Sequence, residues 1–162
     1  DGPRVTLCAL LGVAALILAA FGRRGGILVL LALGLGLGWL AGLLGVLKWK
    51  LNFLNFVALP ITLGVGADYA ANLWARVRAE GRRKLGAIIA DTGSAVALCS
   101  ATTIIGYSSL LLSHNRALQS FGRLAVLGEV TCLVAALLAL PALALRRRAA
   151  GEDTPPRQRP AE

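Results

Sequence analysis

Charge is scarce in this sequence. Only 15% of the 162 residues are Asp, Glu, Lys or Arg, whereas 57% are hydrophobic. Soluble domains carry about 25% charged residues, so this composition excludes an ordinary soluble domain. The chain also has one histidine, and none of its three cysteines stands in a CxxC or Cys/His spacing. That pattern excludes a zinc site and a disulfide framework, and we expect neither a bound cofactor nor an enzyme activity.

The hydrophobic residues come in long uninterrupted blocks. A helix needs about 20 apolar residues to cross the hydrocarbon core of a bilayer. The blocks therefore predict an all-α membrane bundle with five transmembrane helices, over residues 5–21, 26–47, 53–75, 87–112 and 118–145. We expect the segment 148–162, which is rich in proline and charge, to be a disordered cytoplasmic tail.

The chain has a net charge of +9, and its basic residues cluster between the apolar blocks. With five crossings, one side of the membrane collects Arg23 and Arg24, the basic cluster 76–84 and the run 146–148. The positive-inside rule assigns this side to the cytoplasm, which leaves the N-terminus outside and the C-terminus inside. Because the charge follows a membrane pattern, we expect no nucleic-acid partner.

Asp68 lies in the middle of the third apolar block. A carboxylate at this depth costs roughly 2.5–3.5 kcal/mol on insertion scales, and intramembrane acids often move protons or ions. We interpret Asp68 as a proton-binding residue. The alternative is a purely structural role, in which Asp68 accepts hydrogen bonds from backbone groups that Pro60 and the nearby glycines leave unpaired.

Helical spacing predicts which residues support Asp68. Gly64 and Asn72 lie on the same stripe, one turn before and one turn after it. Tyr69 points about 100° away and is expected to donate its hydroxyl to a neighbouring helix. Thr102 and Thr103, on the fourth crossing, lie at a similar depth and are expected to hydrogen-bond the carboxylate or to hold water beside it.

Glu129 is the second acid inside an apolar block. It lies one or two turns into the fifth crossing, closer to the outer side. We expect it to pair with Arg123 or to extend to the membrane interface. A supporting role near the proton site is the alternative.

Several motifs together resemble a known family. LNFVALP at 54–60 and GVGADY at 64–69 are similar to the tenth transmembrane helix of resistance-nodulation-division (RND) transporters, and SATTIIGY at 100–107 to the next one. LPAL at 140–143 resembles the last helix. The likeness is to the mycobacterial membrane protein large type, which includes hopanoid transporters. The five crossings would then be helices 8–12.

The resemblance implies a function. Asp68 would belong to a proton relay supported by Tyr69, and the protein would export lipids or other hydrophobic molecules with protons as the coupling ion. The cell inner membrane would be its location. An accessory subunit of protein export, of the SecDF kind, and a non-transporting module of the sterol-sensing kind stay open as alternatives.

Methionine is absent altogether, and the chain begins with Asp1. We therefore expect a piece of a longer transporter, whose N-terminal half and periplasmic domain would be its partners. The family relay takes an acid from each half, so we expect no transport by this piece alone. Homo-oligomerisation, substrate identity and the choice between a fragment and a natural split subunit stay open.

Overall fold

A computed structural model describes residues 2–49, 52–81 and 85–149 of the chain. Within these ranges it is all-α, as the sequence predicts, and contains no strand. The helices are α1 (Gly2–Val46), α2 (Phe53–Glu80), α3 (Leu85–Ser109) and α4 (Arg116–Ala149). A short 3-10 turn, Leu110–Leu112, follows α3. Asn52 is the N-cap of α2. Its side-chain oxygen accepts a hydrogen bond from the backbone N–H of Asn55, which satisfies one of the free donors of the first helical turn.

The helix α1 is sharply bent at Gly22. A straight helix of its 45 residues would be about 68 Å long, more than twice the thickness of a bilayer core. Gly22 has φ 69° and ψ 175°, a conformation that residues with a Cβ avoid. The chain reverses there so closely that a Cβ on Gly26 would lie 3.1 Å from the Cα of Leu18. The bend therefore divides α1 into an N-terminal arm and a C-terminal arm.

The prediction of five separate transmembrane helices is wrong. The described residues contain four helices that are long and apolar enough to span a membrane. The physical reason is the connection at residues 22–25, where only Gly22 leaves helical geometry, so the first two apolar blocks form one bent helix.

Three helices form the centre of the bundle. Contacts along α2 and α4 join Asn55 to Ser120, and Gly66 to Cys132, so these two helices run parallel. The C-terminal arm of α1 packs against both of them. A Cβ on Gly36 would lie 3.0 Å from the Cα of Cys132 in α4, and a Cβ on Gly66 of α2 would lie 3.2 Å from the Cδ1 of Leu33. The helix α3 packs on α4 and, less extensively, on α2. Most buried side chains are Leu, Ala, Val and Ile from these contacts.

The two ends of the bundle are distinguished by the sequence count of basic residues: segments 23–24, 76–84 and 146–148 hold ten Lys or Arg residues, whereas the other segments up to residue 148 hold five, at positions 4, 48, 50, 116 and 123. The bend of α1 lies beside the end of α2, because Gly25 packs against Trp74. At the opposite end Pro3 lies close to Phe56, so the N-terminal arm runs alongside α2 in the same direction. We call the end that holds the α1 bend and the C-termini of α2 and α4 the basic end; its exposed cations are Arg23, Arg24, Arg76, Arg78 and Arg146.

The predicted disordered tail lies outside the described residues, apart from positions 148 and 149, which end α4.

Candidate functional site

Asp68 lies near the middle of α2, with its side chain exposed. Two grooves meet at this residue, one on each side of α2. Asp68 has no cationic partner within the described part of the chain. The ion pair found there joins Arg76 to Glu80 at 3.0 Å. An exposed carboxylate at this depth is therefore directed toward space outside the packed core, where water or another helix has to stabilise it.

The first groove lies between α2 and α3 and has a volume of about 780 Å³. We call it the α2/α3 groove. Its α2 wall carries Asp68, Asn72 and Arg76, which follow one another at four-residue intervals. One helix face therefore presents a polar stripe from the middle of α2 toward the basic end. The α3 wall contributes three polar or weakly polar groups at intervals of seven and four residues: Thr92, Cys99 and Thr103.

The second groove is smaller, about 220 Å³, and lies between the N-terminal arm of α1 and α2. Its lining is apolar except for Asp68 and includes Ile17 and Phe21 of α1. Gly64 also lines it, and a Cβ at that position would meet no atom within 4 Å. The stripe predicted from the sequence is thus divided: Gly64 faces one groove, Asn72 faces the other, and Asp68 reaches both.

Tyr69 and Glu129 form a buried pair between α2 and α4. The Tyr69 hydroxyl donates a hydrogen bond to the Glu129 carboxylate. This is the donation to a neighbouring helix that the sequence predicts. Pairing of Glu129 with Arg123 is wrong, as is its extension to the interface: Glu129 is 2% exposed, whereas Arg123 is exposed. The parallel packing of α2 and α4 turns Glu129 inward.

Thr102 and Thr103 do not hydrogen-bond Asp68. Both hydroxyls donate to the backbone carbonyl of Cys99 on their own helix, at 2.7 Å and 3.1 Å. A threonine inside a helix often satisfies its hydroxyl in this way. Thr103 still lines the α2/α3 groove with Asp68, but Thr102 is exposed and is absent from that lining. The structure therefore brings Thr103 toward the site and leaves Thr102 outside it.

The sequence reasoning missed three polar or weakly polar residues of the α2/α3 groove, namely Arg76, Thr92 and Cys99. The first has a visible signal, since Arg76 continues the four-residue spacing of Asp68 and Asn72. Thr92 and Cys99 have none, because only the packing of α3 shows which of its faces is turned toward α2. No group of three or more His, Cys, Asp or Glu side chains that suits a metal ion occurs in the described ranges.

A family model supplies the identification. The model of the MMPL family matches residues 5–160, almost the whole chain. The chain belongs to the MMPL family. This finding agrees with the resemblance carried by the GVGADY and SATTIIGY motifs, and it makes the four apolar helices those of a multi-pass membrane protein.

Individual relatives of this MMPL chain are all much longer. It is 28% identical over 145 residues to a membrane protein of Methanocaldococcus jannaschii, covering 85% of this chain and 37% of the relative. It is 35% identical over 98 residues to the hopanoid transporter HpnN of Burkholderia multivorans, covering 60% of this chain and 11% of the relative. HpnN of Rhodopseudomonas palustris is 38% identical over 96 residues, 57% of this chain and 10% of its own length. No solved structure matches the chain.

Proposed function

We propose that this chain is the membrane portion of a proton-driven exporter of lipids or other hydrophobic molecules, with Asp68 as its proton-binding residue. One observation carries the proposal. Asp68, the one exposed acid in the middle of a transmembrane helix among the residues that the structure describes, lies where two grooves meet. A chain retains an intramembrane carboxylate mainly where that group binds ions or protons.

The α2/α3 groove supplies a route for the proton. Asn72, Arg76 and Thr92 make its basic-end half polar enough to hold water, so protons can reach Asp68 from that side. Thr103 provides a hydroxyl oxygen beside the carboxylate, and Gly64 leaves free space on the other side of α2. Alternate access of Asp68 to the two sides would couple proton passage to a movement of the helices.

The basic residues indicate the orientation of the chain in the membrane. The sequence carries ten Lys or Arg residues in segments 23–24, 76–84 and 146–148 and five in the other segments up to residue 148, which on the positive-inside rule favours the cytoplasm for the basic end. The N-terminus, at the opposite end, is then periplasmic, and the C-terminus of α4 is cytoplasmic. We place the protein in the inner membrane of the cell with this orientation.

The substrate class comes from the relatives. Two of them are named hopanoid transporters, which favours a lipid over a protein substrate and therefore argues against an export accessory of the SecDF kind. The chain spans about a third or less of the relatives' lengths. The rest of the transporter would supply the substrate path and the second acid of the relay.

Replacement of the proton-binding group tests the proposal. In the full-length protein, reconstituted in lipid vesicles with an imposed pH gradient, Asp68→Asn keeps the size of the side chain and removes its proton binding. We expect loss of proton-driven lipid transport. Asp91→Asn is the matched control, because it makes the same chemical change at an exposed carboxylate that lines neither groove. Full-rate transport by Asp68→Asn would contradict the relay, and it would favour a non-transporting module with a structural Asp68.

A further inference from the structure

Glu129 differs from every other acid in the described ranges. Asp68, Glu80 and Asp91 are exposed, whereas Glu129 is 2% exposed and lies within α4, where that helix packs on α2. Its partner Tyr69 is 3% exposed, so both members of the hydrogen bond are enclosed. The bond joins residues 60 positions apart in the chain and thus fixes one helix against the other.

The surroundings of Glu129 provide no positive charge. On α2 the titratable groups nearby are Tyr69 and Asp68, and on α4 the nearest is Cys132. The α1 segment 25–47, which packs here, carries no charged residue before Lys48. On α3 the titratable groups from Thr92 onward are Cys99 and Tyr107. A carboxylate enclosed without a cation is costly, and a bound proton removes that charge.

Close packing prevents the side chain from moving to the surface. A Cβ on Gly128 would lie 2.9 Å from the hydroxyl oxygen of Thr62, and a Cβ on Gly66 would lie 2.7 Å from the Sγ of Cys132. The two helices therefore touch directly on both sides of Glu129. The neighbouring Thr131 hydroxyl donates to the carbonyl of Gly128 at 3.0 Å, so it is engaged elsewhere.

Tyr69 connects this enclosed acid to the proposed proton site. It follows Asp68 in the chain and lines the same α2/α3 groove, while its hydroxyl reaches inward to Glu129. The same side chain thus lines the groove and holds the buried carboxyl. A phenol can accept a proton on its oxygen while it donates its own, which is the requirement for a relay.

We propose that Glu129 is a second proton-binding site of this chain, which exchanges protons with Asp68 through the Tyr69 hydroxyl. In the transfer, protonated Asp68 gives its proton through groove water to the Tyr69 oxygen, and the Tyr69 O–H proton passes to the Glu129 carboxylate. Asp68 ends as a carboxylate, Glu129 as a carboxylic acid and Tyr69 unchanged, so charge and protons balance. The exchange rests on the proposed function of Asp68, whereas proton binding by Glu129 does not.

Infrared difference spectroscopy of the full-length protein tests proton binding directly. A carboxylic acid has a C=O stretching band that a carboxylate lacks, and the band shifts in deuterated water. We expect pH-difference spectra to contain one component that Glu129→Gln removes and that Tyr69→Phe shifts, because the phenol hydrogen bond is lost. Spectra that keep every carboxylic component in both variants would overturn the proposal. If Glu129→Gln does not fold, an unshifted spectrum of Tyr69→Phe alone decides against it.

The pH profile of transport separates a proton site from a packing role. Gln at 129 can still accept the Tyr69 hydrogen bond, so a purely structural Glu129 predicts that Glu129→Gln leaves the pH profile of transport unchanged. We expect instead that Glu129→Gln shifts the profile and that Glu129→Asp restores it in part. Asp91→Asn, at an exposed carboxylate that lines neither groove, should leave the profile unchanged. If Asp68→Asn transports normally but the Glu129 band is present, the proposed function fails and Glu129 still binds a proton. If Asp68→Asn is inactive and Glu129→Gln changes neither the band nor the profile, only this inference fails.

Discussion

Cys132 of α4 occupies the space in which a side chain at Gly66 of α2 would have to lie. A Cβ on Gly66 would be 2.7 Å from the Cys132 Sγ and 2.9 Å from its Cβ, shorter than any ordinary contact. Gly36 of α1 reaches the same residue from the other side. Three helices therefore meet at one buried cysteine, and their spacing is set by the two glycines.

We expect Gly66→Ala to destabilise the protein. Overpacking of a tight contact costs about 1–3 kcal/mol, because α2 and α4 have to separate or Cys132 has to move. The thermal unfolding midpoint of the detergent-solubilised full-length protein measures this effect. Gly64→Ala is the matched control, since a Cβ there meets nothing within 4 Å and alanine favours helix. An equal midpoint for the two variants would contradict the packing described here.

A second glycine matters for its backbone. Gly22 has φ 69° and ψ 175°, which other residues adopt at a cost of roughly 1–3 kcal/mol. Gly22→Ala should therefore lower the unfolding midpoint although no atom lies within 4 Å of its added Cβ. Gly12→Ala, also without close neighbours but at ordinary helical angles, should leave the midpoint unchanged or raise it. A stable Gly22→Ala variant would mean that the bend of α1 lies elsewhere.

A polar contact at the end opposite to the basic end should behave as a coupled pair. The side-chain amide of Asn55, 3% exposed, lies 3.1 Å from the Ser120 hydroxyl. Removal of one partner leaves a buried polar group unpaired, which costs about 1–3 kcal/mol. We expect Asn55→Leu and Ser120→Ala each to destabilise and the double variant to cost less than their sum. Ser109→Ala is the control, because that exposed hydroxyl donates only to its own helix.

The sequence predicted the helices better than their connections. Apolar blocks of bilayer length are a strong signal, and the helix class and the membrane character follow from them. The number of separate helices could not be predicted, because it depends on one backbone conformation at Gly22. The arginines at 23 and 24 interrupt the apolar sequence and so predict a break between two helices, whereas the backbone remains helical through both.

The candidate site shows the same division. Four-residue spacing along α2 predicted that Gly64, Asp68 and Asn72 follow one another along the helix, since periodicity within one helix is a local property. It did not predict that two grooves divide them. The partners on other helices depend on rotation and packing, which one sequence does not reveal. For this reason Thr102 was expected in the site but lies outside it, and Glu129 was expected near the surface but is buried.

The three native cysteines make the α2/α3 groove open to a labelling test. Cys99 lines the groove beside Asp68, Cys132 is buried among three helices, and Cys8 is exposed on the N-terminal arm among apolar side chains. Thiol reagents attack the thiolate, which forms only where water is present. In single-cysteine variants of the full-length protein, a water-soluble methanethiosulfonate applied from the basic end should therefore label Cys99 and leave Cys132 and Cys8 unlabelled.

The pattern of labelling decides what fills the groove. Thr92 lies on the same α3 wall as Cys99, closer to the basic end, so Thr92→Trp should fill the groove between that end and Cys99. Labelling of Cys99 that Thr92→Trp prevents would establish a water route from the basic end to Asp68. An apolar maleimide distinguishes the alternative: if it labels Cys8 and Cys99 while the water-soluble reagent labels neither, the groove holds lipid. Protons would then have to reach Asp68 from the opposite end of the bundle, and the polar stripe Asp68, Asn72 and Arg76 would need another explanation.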